Sequence, residues 1–360
     1  MKEKNLFGQL EKVGSGLLFP STTETVHFGD LYRLGVQGLN NKMYSFSITY
    51  TLKGSTCKRF FVLRVSGRQE KEKCLREYTT LKILKSQGLP VPNVFALETD
   101  KKTIGHPFII MERIEGASAS HFLGNEENAS IIVEAIAKTL ASVHRLDPSL
   151  FSQDKTKNQH EFANQKLSNI RRLINIEYVT NFSPFLRFNY LHVIRKLADE
   201  APRDFKQALV HGDFGPDHVL MTNSGPIVID WEGASLGDPA YDVGWAYHVI
   251  LLEGQAMIDH RFVKLKKQQA FRIDLREHFL ECYENSIGKV PNLRFYKNLA
   301  AIRLLAVFDL YLRPSLYYSL KNIFEMGVKQ TFSRTFYTRV EIKSFHDYCV
   351  QFLRNEGYLK

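Results

Sequence analysis

The clearest rhythm in the chain is at Tyr44, Phe46, Ile48 and Tyr50, which alternate with Ser45, Ser47 and Thr49. A period of two puts every second side chain on one face, so the segment predicts a half-buried strand. Lys53-Gly54-Ser55 reads as a turn, and Arg59–Val65, rich in Phe and Val, as the next strand. From Gln69 to Gln87 the period lengthens, and Leu75, Tyr78, Leu81 and Leu84 share one face of a predicted helix. Gly88 stops that helix, and Pro90 and Pro92 keep the chain extended. Short strands near Val94–Leu97 and at Pro107–Met111 complete a small antiparallel sheet.

Beyond Gly116 helical periods dominate, at Ala129–Leu146, Pro184–Leu197, Asp242–Leu252, Lys297–Leu312 and Ile342–Leu353. Ser183 is placed to cap the second of these, with Pro184 at its first helical position. A stretch punctuated by Gly, Pro and Asp between the second and third reads as a loop and hairpin. The whole predicts a bilobal α+β fold: an extension over 1–25, a small antiparallel-sheet lobe with one helix over 26–115, and a larger, mainly helical lobe over 116–360.

Composition changes this picture little. A hydrophobic content of 44% and a charged content of 24% support a sizeable core in 360 residues. Cys57, Cys74, Cys282 and Cys349 have no metal-ligand spacing and read as buried, reduced thiols. Residues 1–12 lack the apolar core of a signal peptide, and Leu304–Phe308 is too short to span a bilayer. A cytoplasmic protein that meets no membrane is the expectation. The net charge of +10 comes with basic runs around Lys53–Arg76 and Arg261–Arg272. No zinc-finger spacing or aromatic RNA-binding motif accompanies them, so they read as solvated surface and no nucleic-acid partner is expected. Nothing in the chain sets an oligomeric state.

The candidate chemistry is concentrated in Val210–Leu220, VHGDFGPDHVL, and Ile227–Gly244, IVIDWEGASLGDPAYDVG. Phosphoryl transfer to a hydroxyl needs carboxylates that hold metal ions on the phosphates and a base aimed at the acceptor. Asp213 follows the apolar Ala208–Val210 in a Gly-rich loop, free of any helix face. Val219–Thr222 and Pro226–Ile229, joined by Asn223-Ser224-Gly225, predict a hairpin that returns Asp230 toward His218.

With these residues in place the chain resembles the aminoglycoside phosphotransferase and choline kinase family, which has a protein-kinase-like fold. The resemblance is specific in Val210–Gly244 and extends to Arg64, Glu77, Pro107–Gly116 and Leu140–His144. It implies that Asp213 is the catalytic base, that His211 holds the catalytic loop and that Asp230 binds the metal, Mg2+ or also Mn2+. Asp238 and Asp242 match a downstream motif for which capping and anchoring of the next helix is expected. Most of the family has Asn where this chain has His218. Imidazole nitrogen is a softer donor than magnesium prefers, so three roles stay open: direct ligand or holder of a metal-bound water, bystander to a single metal on Asp230, or sign of weakened catalysis.

The small lobe is expected to cover the nucleotide, ATP or GTP. Gly35 and Gly38 stand in a turn that either covers the phosphates through backbone N–H groups or is a plain hairpin turn. Arg64 takes the place of the Lys found in protein kinases, with Glu77 as its ion-pair partner. The backbone of Glu112–Ile114 is placed to meet the purine edge.

The partner so implied is a small-molecule hydroxyl acceptor. Trp245, Tyr247, Tyr283, Tyr311, Tyr317 and Tyr318, with Glu253, Asp259, Glu281 and Glu284, offer material for its site, although aromatics at this spacing are commonly core. The first reading is therefore a small-molecule kinase, and the alternative is a catalytically weak or silent nucleotide-binding protein of the same fold. A protein kinase is disfavoured, because Trp231-Glu232 follow Asp230 in place of Phe-Gly.

Overall fold

The computed structural model describes residues 8, 10, 25–29, 31–34, 42–52, 54–67, 70–124, 126–151, 166, 184–259, 265–311 and 339–359. They fall into two compact units. One is built from Met1–Gly116 with Ile227–Glu232, the other from Ala117–Pro226, Gly233–Val328 and Thr335–Lys360.

The first unit is an antiparallel sheet with a helix on it. Its strands are β1 (Thr25–Phe28), β2 (Tyr32–Arg33), β3 (Lys42–Leu52), β4 (Ser55–Val65), β5 (Val94–Glu98) and β6 (Phe108–Glu112). They run in the order β1-β3-β4-β6-β5, with β2 also on β3. The predicted alternation holds, since Tyr44, Phe46, Ile48 and Tyr50 all enter one apolar cluster with Phe61, Leu63, Val65, Phe108 and Ile110. Strand β4 changes character halfway. Its first six residues are exposed, and Phe61–Val65 is buried throughout. Cys57 lies in the outer part and is exposed, contrary to the expectation of a buried thiol, because the hairpin outruns the core there.

Helix α1 (Lys71–Ser86) ends at Gly88, whose φ of +75° suits glycine. Its buried face is Cys74, Glu77, Thr80, Leu81 and Leu84, while Leu75 is exposed. The expected Leu75–Leu84 stripe is thus turned by about one position, because the helix lays Glu77 against Arg64 of β4.

The second unit is mainly helical: α2 (Glu126–His144), α3 (Pro184–Asp199), α4 (Ala240–Asp259), α5 (Leu265–Ile287), α6 (Leu293–Tyr311) and α7 (Arg339–Asn355). Helix α5 was not legible in the sequence, since it opens on Lys266, Lys267, Gln268 and Gln269. Helix α2 packs on α5, and α6 packs on α4 and α7. A Cβ on Gly244 of α4 would stand 2.7 Å from the Tyr296 carbonyl carbon of α6, so the missing side chain sets the approach of these two helices. Strand β7 (Ala117–Ser118) pairs β9 (Val219–Thr222), and β8 (Ala208–Val210) pairs β11 (Ser235–Gly237). After β9 the predicted turn forms: Thr222 Oγ1 donates to the Gly225 carbonyl at 2.8 Å, and β10 (Gly225–Val228) begins there.

Candidate active site

The loop that carries Asp213 is fastened by helix α4. The chain leaves β8 through His211 and Gly212, and both backbone N–H groups donate to the Asp242 carboxylate, at 2.6 and 2.9 Å. His144 lies 3.3 Å from the same carboxylate through Nε2, and 2.7 Å from the Tyr283 hydroxyl through Nδ1. A carboxylate only accepts, so Nε2 carries a proton and donates to Asp242, while Nδ1 and the Tyr283 hydroxyl share the second hydrogen bond. Burial would push the Asp242 carboxyl up. The His144 contact and the Gly212 N–H outweigh it and hold the group below the usual aspartate range.

Gly212 has a φ of +89°, and a Cβ on it would fall 2.5 Å from the Gly233 carbonyl oxygen. A side chain at that position would collide with the backbone in a conformation only glycine adopts readily.

Asp213 is gripped on both sides. Its N–H donates to His211 Nδ1 at 3.3 Å, and its carbonyl accepts from His218 Nδ1 at 2.7 Å. The two imidazoles stack with centroids 5.8 Å apart. The carboxylate itself accepts from Arg303 Nη2 of α6 at 3.3 Å. That guanidinium sits 4.0 Å from the centre of the Trp245 ring and donates to the Tyr241 hydroxyl at 3.2 Å. Next along the loop, Asp217 accepts from Ser118 Oγ at 3.0 Å and from Ser120 Oγ, which ties the loop to β7 and the turn after it.

A second group of charges belongs to the first unit. Arg64 meets Glu77 through Nε at 3.1 Å, Asp230 through Nη1 at 2.9 Å, and Glu232 through Nη2. Lys73 adds a contact to Glu232 at 3.4 Å. One guanidinium therefore serves three buried or nearly buried carboxylates. Burial pushes the Glu77 carboxyl up to about 8; Arg64 opposes this, and the negative charges of Asp230 and Glu232 add to it. The same carboxylates raise Arg64 against its own burial. Asp230 has a φ of +67°, in the left-handed region that costs a non-glycine residue on the order of 1 kcal/mol or more and is common at functional sites.

Residues 40–273, more than half of the chain, match the phosphotransferase enzyme family. The chain belongs to that family. Solved structures share the fold of this chain: choline kinase from Cryptosporidium parvum (TM-score 0.58, 15% identity, covering 99% of this chain and 97% of that one), LicA in complex with AMP (0.54, 16%, 98% and 98%), and the GDP complex of aminoglycoside 2′-phosphotransferase-IIIa (0.51, 14%, 90% and 98%). Among curated proteins, acyl-CoA dehydrogenase family member 10 of Mus musculus is 26% identical over 65% of the chain, and family member 11 of Rattus norvegicus 24% over 64%. The chain spans only 22% and 30% of their respective lengths. Among the described residues, no helix is long and apolar enough to cross a membrane.

Of the candidate site residues read from the sequence, Arg64, Glu77 and Asp230 come together in one group, and His211, Asp213 and His218 in another. Gly35 and Gly38 lie outside the described residues. In the Glu112–Ile114 stretch, the Glu112 N–H donates to the Asn93 carbonyl and the Arg113 N–H to the Phe60 carbonyl, while Ile114 is half-buried. Asp238 caps α4, accepting from the Ala240 N–H at 2.9 Å, as expected. Asp242 does something else: it lies in the first turn of α4 and holds the loop that carries Asp213. Sequence reasoning missed Arg303, Lys73 and Glu232. The available signal for Arg303 was a lone cation between the apolar Ala300–Ile302 and Leu304–Ala306, and for Glu232 its place in the quoted motif two residues after Asp230; Lys73 left none.

Proposed function

We propose that the protein transfers the γ-phosphate of ATP or GTP to a hydroxyl group of a small molecule. The observation that carries this reading is the way Asp213 is held, with its peptide groups fixed by His211 and His218 and its loop fixed by Asp242. Such a carboxylate is aimed before the acceptor arrives, which is what a general base needs. In the proposed step the acceptor oxygen bonds to the γ-phosphorus, the bond to the β-phosphate oxygen breaks, the hydroxyl proton passes to Asp213 and nucleoside diphosphate leaves.

Arg64, oriented by Glu77, is proposed to meet the triphosphate. The carboxylate oxygens of Asp230, with Glu232 nearby on the same guanidinium, suit a hard cation. Mg2+ there, or Mn2+, would neutralise phosphate charge. His218 acts in this reading as a strut on the Asp213 carbonyl, so His218→Asn should leave metal preference unchanged.

The test is diphosphate release with ATP or GTP, magnesium or manganese, and a panel of hydroxylated metabolites. Asp213→Asn and Asp230→Ala should each lower acceptor-dependent release by roughly a hundredfold or more. Wild-type rates in both variants would overturn the assignment. Nucleotide binding without turnover on any acceptor would leave a silent nucleotide-binding protein.

A further inference from the structure

We infer that the acceptor is an anion, a hydroxy compound whose carboxylate or phosphate is met by Arg303 and Lys166, and that Arg303 also positions Asp213. The inference rests on the phosphotransferase reading above and adds the substrate class.

The argument begins with the charge next to the base. Arg303 stays protonated at any working pH, and its Nη2 is 3.3 Å from Asp213 Oδ1. Its side chain keeps 17% of its surface open, so a solute can reach it. Lys166 adds a second cation, with Nζ 4.4 Å from the centre of the Tyr241 ring whose hydroxyl Arg303 holds. Arg303 thus meets the Asp213 carboxylate while Lys166 lies on the Tyr241 ring that Arg303 also holds, and a positively charged acceptor brought to Asp213 would meet like charge.

The aromatic faces point the same way. A quaternary ammonium or an amino sugar is recognised by open rings and carboxylates. Here Trp245 is already covered by Arg303 at 4.0 Å, and Tyr247 by Lys297 at 4.4 Å and Arg276 at 4.9 Å. The Tyr283 hydroxyl is given to His144. Of the acids in the same helical region, Glu284 is paired with Lys289 at 3.2 Å, Glu277 takes the Tyr247 hydroxyl at 2.6 Å, and Glu281 is exposed. The side chains of Glu253, Asp259, Tyr311, Tyr317 and Tyr318 lie outside those described; among the described ones, the protein's own cations occupy the aromatic seats that a cationic acceptor would need. An anion needs none of them, and the net charge of +10 favours its approach.

The experiment compares size-matched hydroxy compounds in the full chain: hydroxycarboxylates and sugar phosphates, the neutral alcohols and sugars, and amino alcohols with amino sugars. Diphosphate release is read for turnover, and protection from thermal unfolding with nucleotide present is read for binding. Anions should exceed cations by roughly 10- to 100-fold in kcat/KM, the range of one charge-assisted contact, and the carboxylate and phosphate arms show which anion is preferred. Arg303→Gln keeps a hydrogen-bond donor for Asp213 but removes the charge, so it should erase that order mainly through KM. Arg303→Lys keeps the charge, so it should retain the order while lowering kcat through a less well-placed Asp213. A cationic or neutral compound ranking first, or an unchanged order in Arg303→Gln, overturns the inference. So does the lack of anion-specific protection in wild type, even with no turnover. Failure of the underlying reading is seen separately, as nucleotide hydrolysis insensitive to Asp213→Asn.

Discussion

Glu77 in the first unit and Asp242 in the second are both buried carboxylates, and their environments pull them in opposite directions. Asp242 is met by two backbone N–H groups and an imidazole. Glu77 shares a single guanidinium with Asp230 and Glu232. Burial raises a carboxyl unless donors are dedicated to it. The second unit thus has a scaffold that fixes the loop of Asp213. The first gathers three carboxylates around one guanidinium, with Lys73 adding a contact to Glu232.

Removing the anchor should have the largest effect. Asp242→Ala would leave the His211 and Gly212 N–H groups and His144 without their acceptor, costing about 3–5 kcal/mol of stability, and turnover should fall with it. Urea unfolding measures the first and acceptor-dependent diphosphate release the second; a loss under 1 kcal/mol would show that the loop holds itself.

Arg64→Met follows, at about 3 kcal/mol near neutral pH, because three carboxylates lose their guanidinium. The loss should shrink as pH falls and the carboxyls protonate. A loss independent of pH would mean that packing and not charge is what Arg64 supplies.

The opposite shifts can be separated by pH. The Glu77 carboxyl at about 8 lies above its ordinary 4.5, so the folded state binds more protons between those values. Its contribution to stability is full below 4.5 and is lost as pH rises through 8, in total a few kcal/mol. In nucleotide-free protein, Glu77→Gln should flatten the fall in stability between pH 5 and 8. Asp242 runs the other way: its contribution is present above the ordinary 3.8 and is lost in acid as pH falls through its lower folded value. An unchanged slope in Glu77→Gln would place the acid-sensitive group elsewhere.

The smallest effect is expected of Tyr283→Phe, which removes the hydroxyl on His144 and should cost about 1 kcal/mol. A cost as large as that of Asp242→Ala would show that His144 and not the backbone carries the anchor.

The sequence revealed what repeats or sits in a fixed local pattern. Tyr44–Tyr50 disclosed its strand through alternation, and the spacing from His211 to Asp242 disclosed the loop and hairpin. The Arg64–Glu77 pair was legible because a strand residue and a helix residue had matching charge and an expected place. Arg303 was not, since it reaches Asp213 from a helix 90 positions away and no local rhythm encodes such a contact. Leu75 misled for a related reason. The helix face was chosen by the buried need of Arg64 for Glu77, and a count of apolar positions does not register that need. The role of Asp242 was half visible: its place in the first helical turn suggested a cap, but the groups it serves belong to a loop some 30 residues earlier.

Gly244 gives the comparison a further turn. It precedes Trp245 on α4 and lies against Tyr296, two helical turns before Arg303 on α6. The gap between these helices is the gauge that sets how far the Arg303 charge stands from its indole seat. An added methyl group at 244, carrying no charge, would widen that gauge and shift the cation that stands beside Asp213.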